Sequence, residues 1–431
     1  VIPVRDRPQT LPFTLRTCLA QEFDDFEIVL ADNQSNAPVV DVLADWTDSR
    51  IKHVRTPTPL AMTDSWEFAV RQASGEFVTV VGADDGLLLH ALTEIDRLLR
   101  VTGATMLRWE SACYTWPDLP PQDHARPHEL LIPLKQTDSY YPICVRQAAA
   151  VIEDAVNMRV SYAELPMIQC SAIHRDHLEQ MRARTGRVFG SECPDIYSSF
   201  AFALLAGTFH TVAAPMTING LSGRSNGVAC IYLKEQSAIA EEFRRLNRQA
   251  KHVRHPHVPL LPVMPAYVAD SFLSACAAFP TGGESIALDR KQLVVHCINE
   301  ARLADETDWA RCRATCREGL ADDAALLAWF DGEYGSRRLD ELTQTRVRLK
   351  RYGGSYLHLD ASEYGVTNIF EAAQLCEKLL GCKRDGLNCH VVHESAPEPP
   401  APPVQAPHCL GFWQRLSRAT QTMLYGKCKE E

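Results

Sequence analysis

Two adjacent aspartates, Asp84 and Asp85, close the apolar run "GEFVTVVGA", and two further polar clusters close apolar runs before it. Arg5, Asp6 and Arg7 follow "VIPV", and Asp32, Asn33 and Ser35 follow "FEIVLA". Carboxylates crowded together repel one another unless a cation sits among them, and oxygen-only ligands with phosphate partners suit Mg2+ or Mn2+. A phosphate ester held through such a cation is the chemistry this pattern predicts. Each cluster alone has a plainer reading: Asp6 or Asp32 caps the next helix, and Asp84 with Asp85 forms the cap and first-turn acid of a helix from Leu87. Three acidic clusters on one side of a sheet are more than capping requires.

The elements that must position these residues read as strands alternating with helices. "VIPV", "FEIVLA", "IKHVR", "FVTVVG" and "TMLRWESA" are β-rich runs, and helical patterns fill 9–22, 39–46, 61–73 and 87–100 between them. This order predicts an α/β fold with right-handed crossovers and a Rossmann-like, mainly parallel sheet with helices on both faces. In such sheets ligands bind at the carboxyl ends of the strands, where the acidic clusters fall. Trp66, Ala69, Val70 and Ala73 form one apolar helical stripe, so Trp66 reads as core or, with Met62 and Thr63, as the floor of a site.

Residues 114–142 are Pro-rich and read as an excursion from the sheet, and "INGLSGRSNG" reads as a loop. Beyond about 235 the patterns turn mostly helical, with no further alternation. Asn368 and Glu371 predict a capping box ahead of a helix that Gly381 ends. The expected division is 1–234, 235–394 as a mostly helical accessory domain, 395–408 as a Pro-rich linker, and 409–431 as a short amphipathic basic tail. That tail suits a membrane surface, a partner, or packing back onto the body.

The chain has 431 residues, 46% of them hydrophobic, enough for a sizeable core. A net charge of −10 without a basic segment argues against a nucleic-acid partner. The 15 cysteines are scattered; only Cys312 and Cys316 lie one helical turn apart, with no second pair at zinc-site spacing. They read as small buried side chains in a reducing cytoplasm. His255 and His257 flank a proline without acidic neighbours and read as a solvated loop. No apolar run approaches the roughly 18–20 residues of a membrane span, and no signal peptide precedes the first strand. The chain opens inside a strand pattern without Met, from which a few missing N-terminal residues are expected.

The segment "VIPVRDRPQTLPFTLRTCLAQEFDDFEIVLADNQSN", followed by "ASGEFVTVVGADDGLL", resembles the N-terminal half of a family 2, GT-A fold inverting glycosyltransferase. The likeness covers about 1–110, and 160–230 more loosely. It implies a nucleotide half at 1–113 and an acceptor half at 114–234. Pro3, Val4 and Asp6 would line the base and ribose, Asp32 would bond the base, Asp84 would touch ribose or metal, and Asp85 would hold the Mn2+ or Mg2+ that bridges the diphosphate. Many members carry an acid where this chain has Gly82. The family's base falls in "SECPDIYSSF", which offers Asp195 first and Glu192 second, with a helix N-cap as the plain role of Asp195. Arg224, in the Gly- and Ser-rich loop with Asn219, Ser222 and Ser225, would close on the diphosphate, unless the loop is a plain surface turn.

The resemblance implies transfer of a sugar from a nucleotide diphosphate, expected to be UDP-linked, to a hydroxyl of a saccharide or other acceptor. It also implies a cytoplasmic enzyme, with peripheral membrane or assembly-complex contact and homo-oligomerisation left open. Two other readings remain: a nucleotidyltransferase, against which stands the lack of glycine in "VIPVRDRP", and a donor-binding or scaffold protein without catalysis.

Overall fold

The computed structural model describes residues 1–44, 46–119, 125–134, 141–231, 237–280, 286–344, 356–381 and 389–391. The chain opens as β1 (Ile2–Val4), α1 (Leu11–Leu19), β2 (Ile28–Asp32), α2 (Val39–Val42), β3 (Ile51–Arg55) and α3 (Met62–Arg71). The three strands pair in parallel in the order β1-β2-β3, with Val4 opposite Asp32 and Asp32 opposite Arg55. That register brings the residues after β1 and those after β2 to one edge.

The fourth run departs from expectation. Only β4 (Phe77–Val78) is a strand in it. Residues 79–83 lie beside β1, where the Val81 N–H donates to the Val1 carbonyl at 2.9 Å, while the Val80 N–H donates to the Ile168 carbonyl at 3.1 Å. The segment thus bonds to a different neighbour on each side and joins the parallel sheet to a second one. Next comes β5 (Gly86–Leu87), and α4 spans Ala91–Thr102. The helix expected from Leu87 begins later because Gly86 and Leu87 pair with Ile218 and Thr217. Asp84 and Asp85 therefore sit in a turn ahead of a strand, and the helix-cap reading of the pair fails.

The second sheet uses β6 (Met106–Thr115), β7 (Glu129–Pro133), β8 (Tyr141–Gln147), β9 (Ser171–His174) and β10 (Thr208–Leu221). Its helices are α5 (Ala148–Val156), α6 (Arg175–Thr185) and α7 (Pro194–Ala206). The long β10 runs parallel to β6 and antiparallel to β8 and β5, and β6 runs antiparallel to β7 and β9. The fold is α/β with helices on both faces, but its sheets are mixed, and parallel pairing dominates only at the start of the chain. The Pro-rich excursion contains β7, since alternating Leu130 and Ile132 are buried against the core. The supposed loop "INGLSGRSNG" is likewise mostly regular: β10 runs through Leu221 and α8 (Asn226–Ile231) begins soon after.

Two cores cover the two faces. Ile2, Val4, Leu15, Val81 and Leu98 pack in one with Trp109, and Trp66, Val78, Val80, Ile152, Phe189 and Phe200 pack in the other. Alternation along 78–81 sends Val78 and Val80 to one core and Val81 to the other, as a strand buried on both faces requires.

Packing runs across residue 235. After α9 (Ala238–Gln249), α10 (Met264–Ala278) adds Val268, Phe272 and Ala275 to the core under α7, with the Phe200 and Phe272 ring centroids 5.4 Å apart. A further core joins α10 to α11 (Arg290–Glu300), α12 (Glu306–Glu318) and α13 (Ala324–Tyr334), and holds Cys312 and Cys316 as buried free thiols. Two strands also fall within this mostly helical region. β11 (Tyr356–Asp360) adds to the edge of β7, and β12 (Cys389–Val391) pairs with β8.

The helix α14 (Ile369–Leu380) packs Ile369, Ala372 and Ala373 against Tyr114 and Ile218. Asn368 caps it by accepting from the Phe370 and Glu371 N–H groups, while the Glu371 carboxylate accepts from the Thr367 N–H and hydroxyl. No helix among the described residues is long and apolar enough to cross a membrane. The expected linker 395–408 and tail 409–431 lie outside the described residues.

Candidate active site

A cavity of about 540 Å³ opens at the edge where β1 and β2 end, and it contains most of the residues singled out in the sequence. Pro3, Val4, Asp6, Asp84, Asp85, Asp195 and Arg224 line it, together with Arg5, Arg7 and Asn33. Asp32 and Glu192 do not.

The turn after β1 is held in an uncommon shape. Asp6 has φ 52°, in the left-handed region, and Gln34 after β2 has φ 56°. Asp6 is fixed there because its N–H donates to Ser35 Oγ at 2.9 Å and its carboxylate accepts from the Asn36 N–H at 2.7 Å. Two strand ends are thus tied to each other by the polar residues that follow them. Asn33 ties in a third segment, donating to the Leu60 carbonyl and accepting from the Leu60 N–H, each at 2.9 Å. Backbone strain of this kind concentrates at functional sites.

Asp32, by contrast, is fully buried at the end of β2. Its Oδ1 accepts from the Ser35 N–H at 2.8 Å, and the Arg55 guanidinium lies 3.0 Å from its Oδ2. Here it braces the turn, away from the cavity surface.

Asp84 and Asp85 are shaped by β10. Asp85 accepts from the Gly220 N–H at 2.7 Å through one oxygen and from the Gly82 N–H at 3.1 Å through the other. Asp84 accepts from Ser222 Oγ at 2.6 Å, and its carbonyl accepts from the Trp116 indole N–H at 2.9 Å. Gly220 permits this approach, since a Cβ there would lie 1.8 Å from the Asp84 carbonyl oxygen. Gly82 is also explained: a Cβ on it would lie 2.4 Å from Asp85 Oδ2, so Asp85 occupies the room that a third acid would need.

Burial raises Asp85 to about 7, and the neighbouring charge of Asp84 adds to the rise. Burial also raises Asp84, opposed by Arg7 and by the Ser222 hydrogen bond. Two desolvated carboxylates suit a hard divalent cation, whose charge would favour their ionised forms. Among the described residues, no three His, Cys, Asp or Glu side chains gather into a metal-binding cluster.

Asp195 stands in the first turn of α7, where Cys193 is the N-cap residue and Pro194 opens the helix. The N-cap role considered for Asp195 therefore does not apply. Burial raises its carboxyl, opposed by the N–H groups of Ile196 and of Asp195 itself. Glu192 instead pairs with Arg254 at 3.0 Å.

Arg224 is exposed, and its carbonyl accepts from Arg7. Trp66 is core, meeting Phe189 edge-on at 5.8 Å, and it also lines the cavity with Met62, whereas Thr63 does not. Sequence reasoning missed Trp116, which orients Asp84, and the residues that α9 and α10 bring to the cavity. The periodicity of Ile239, Phe243 and Leu246 signals a buried face but not what it faces.

Residues 1–135 match the family described as Glycosyl transferase family 2. No curated protein matches the chain. Among solved structures, S. aureus TarS 1–349 in complex with UDP-GlcNAc is 14% identical with a TM-score of 0.40, over 78% of this chain and 90% of that one. A longer TarS structure is 12% identical with a TM-score of 0.39 over 77% of this chain, which spans 54% of its length. The mannosyltransferase PcManGT from Pyrobaculum calidifontis, in complex with GDP-Man and Mn2+, is 14% identical with a TM-score of 0.37, over 75% of this chain and 85% of that one. Likeness at this level carries no argument about chemistry here.

Proposed function

We propose that this chain, whose first 135 residues match the glycosyl transferase family 2 model, moves a sugar from a UDP-linked donor to an acceptor hydroxyl with inversion. The observation that carries the reading is the meeting of Asp84, Asp85 and Asp195, from distant parts of the chain, in one cavity at the strand ends. Pro3, Val4 and Asp6 take the base and ribose, on a turn already fixed by Ser35 and Asn36. Asp32 keeps that turn in place, and a direct bond from it to the base would require Arg55 to move. Asp85, with Asp84, holds Mn2+ or Mg2+, which when bound supplies positive charge at the diphosphate. Arg224 comes from the facing loop.

Asp195 serves as the base. It takes the proton of the acceptor hydroxyl as that oxygen bonds to the anomeric carbon, and the diphosphate leaves with the electron pair of the broken bond. Glu192, held by Arg254, is the weaker candidate. Calorimetric titration with UDP and Mn2+, run beside a nucleotide-release assay on UDP-sugars, tests the proposal. Binding together with metal-dependent release is the expected result, and binding without release from any donor supports a non-catalytic protein instead.

A further inference from the structure

The cavity has two unlike walls. One is the polar strand edge, and the other is built by the first turn of α7, by α9 and by α10. The side chains turned to the cavity from these helices include Ile196, Phe243, Leu246, Met264 and Tyr267. On α9, Ile239, Glu242, Phe243 and Leu246 follow helical spacing, so one face of that helix is given to the cavity. Asp195, beside Ile196, stands where this wall begins.

Charges near the wall are already paired. Glu242 bonds Arg5 at 2.6 Å, and Glu192 bonds Arg254, whose guanidinium lies 4.1 Å from the Tyr267 ring centroid. The thiols of Cys193 and Cys230, which also line the cavity, are pushed up by burial and stay neutral. A bare saccharide packed here would bury hydroxyls against carbon and sulfur, and each unpartnered hydroxyl is costly. An apolar body gains by the same burial.

We infer that the acceptor presents its reacting hydroxyl beside an apolar alkyl or aryl body, which packs on the α7, α9 and α10 wall while the hydroxyl reaches Asp195. The inference rests on the glycosyltransferase reading above and names its acceptor class.

The full chain with Mn2+ is assayed for nucleotide release from UDP-glucose, UDP-galactose, UDP-N-acetylglucosamine and GDP-mannose. Each donor is run alone and then with glucose or with methyl, butyl or octyl β-glucopyranoside, and products are identified by mass. The expected result is transfer above the hydrolysis baseline, with KM falling by about threefold to fourfold per added methylene until the wall is covered. Phe243→Asn should flatten that series. If this variant does not fold, the wild-type series alone decides. A KM that does not change with alkyl length, or glucose as the best acceptor, overturns the inference and leaves the enzyme reading intact. No release from any donor overturns the enzyme reading itself, and the inference with it.

Discussion

The strand edge and the helical wall enclose one cavity but are built on opposite plans. At the edge, polar side chains hold one another through short local bonds: Asp6 with Ser35 and Asn36, Asp85 with Gly82 and Gly220, Asp84 with Ser222. At the wall, apolar faces of three helices meet and the charges are paired away. The difference teaches where rigidity is needed. A diphosphate with its cation demands fixed oxygen donors, whereas an apolar body is held by area and tolerates variation in its shape.

Changes at the centre of the edge and at the start of the wall should separate these roles most strongly. Asp195→Asn is expected to lower transfer by about 10²- to 10⁴-fold while leaving UDP binding by calorimetry unchanged, as loss of a general base does. Next comes Gly220→Ala, whose methyl would collide with the Asp84 carbonyl. It should cost about 1–3 kcal/mol in denaturant unfolding and also weaken Mn2+-dependent UDP binding. Glu192→Gln should change transfer by less than about threefold, since the residue already serves Arg254. A loss as large as that of Asp195→Asn would exchange the roles of the two acids.

The titration of Asp195 gives the smallest effect. Burial raises its carboxyl, so the ionised form is disfavoured in the folded chain. That cost is absent below the ordinary carboxylate range, grows as pH rises from there to the raised value, and is constant above it. Asp195→Asn should therefore match wild type in melting temperature at low pH and exceed it at neutral pH. The acid limb of the rate profile should lie above the ordinary Asp value.

The edge was largely legible in the sequence because its residues act close to where they stand. Strand, turn and acid follow one another, so Asp6, Asp84 and Asp85 could be placed at one sheet edge from the order of the elements. Asp32 reads the same way, yet the Arg55 opposite it in β3 draws it inward, which only the pairing register reveals. Gly82 looked like a missing acid until the fold of Asp85 over it was visible. The wall was not legible. The region beyond 235 read only as mostly helical, and the partner of a helix face is fixed by packing between residues far apart in the chain. For the same reason Trp116 gave no local sign that its indole would hold Asp84, and the end of β10 passed for a loop because its glycine admits Asp84.

In the proposed function Asp84 and Asp85 hold a cation on a nucleotide diphosphate. Nucleotide release from UDP-sugars by wild type and by Asp85→Ala, with Mn2+ and with chelator, tests it most directly once circular dichroism has shown both to be folded. Wild type should release nucleotide in a manner that chelator abolishes and Mn2+ restores, and Asp85→Ala should lose about 10²-fold or more at every Mn2+ concentration. Equal release by the two proteins, or release indifferent to chelator, would contradict it.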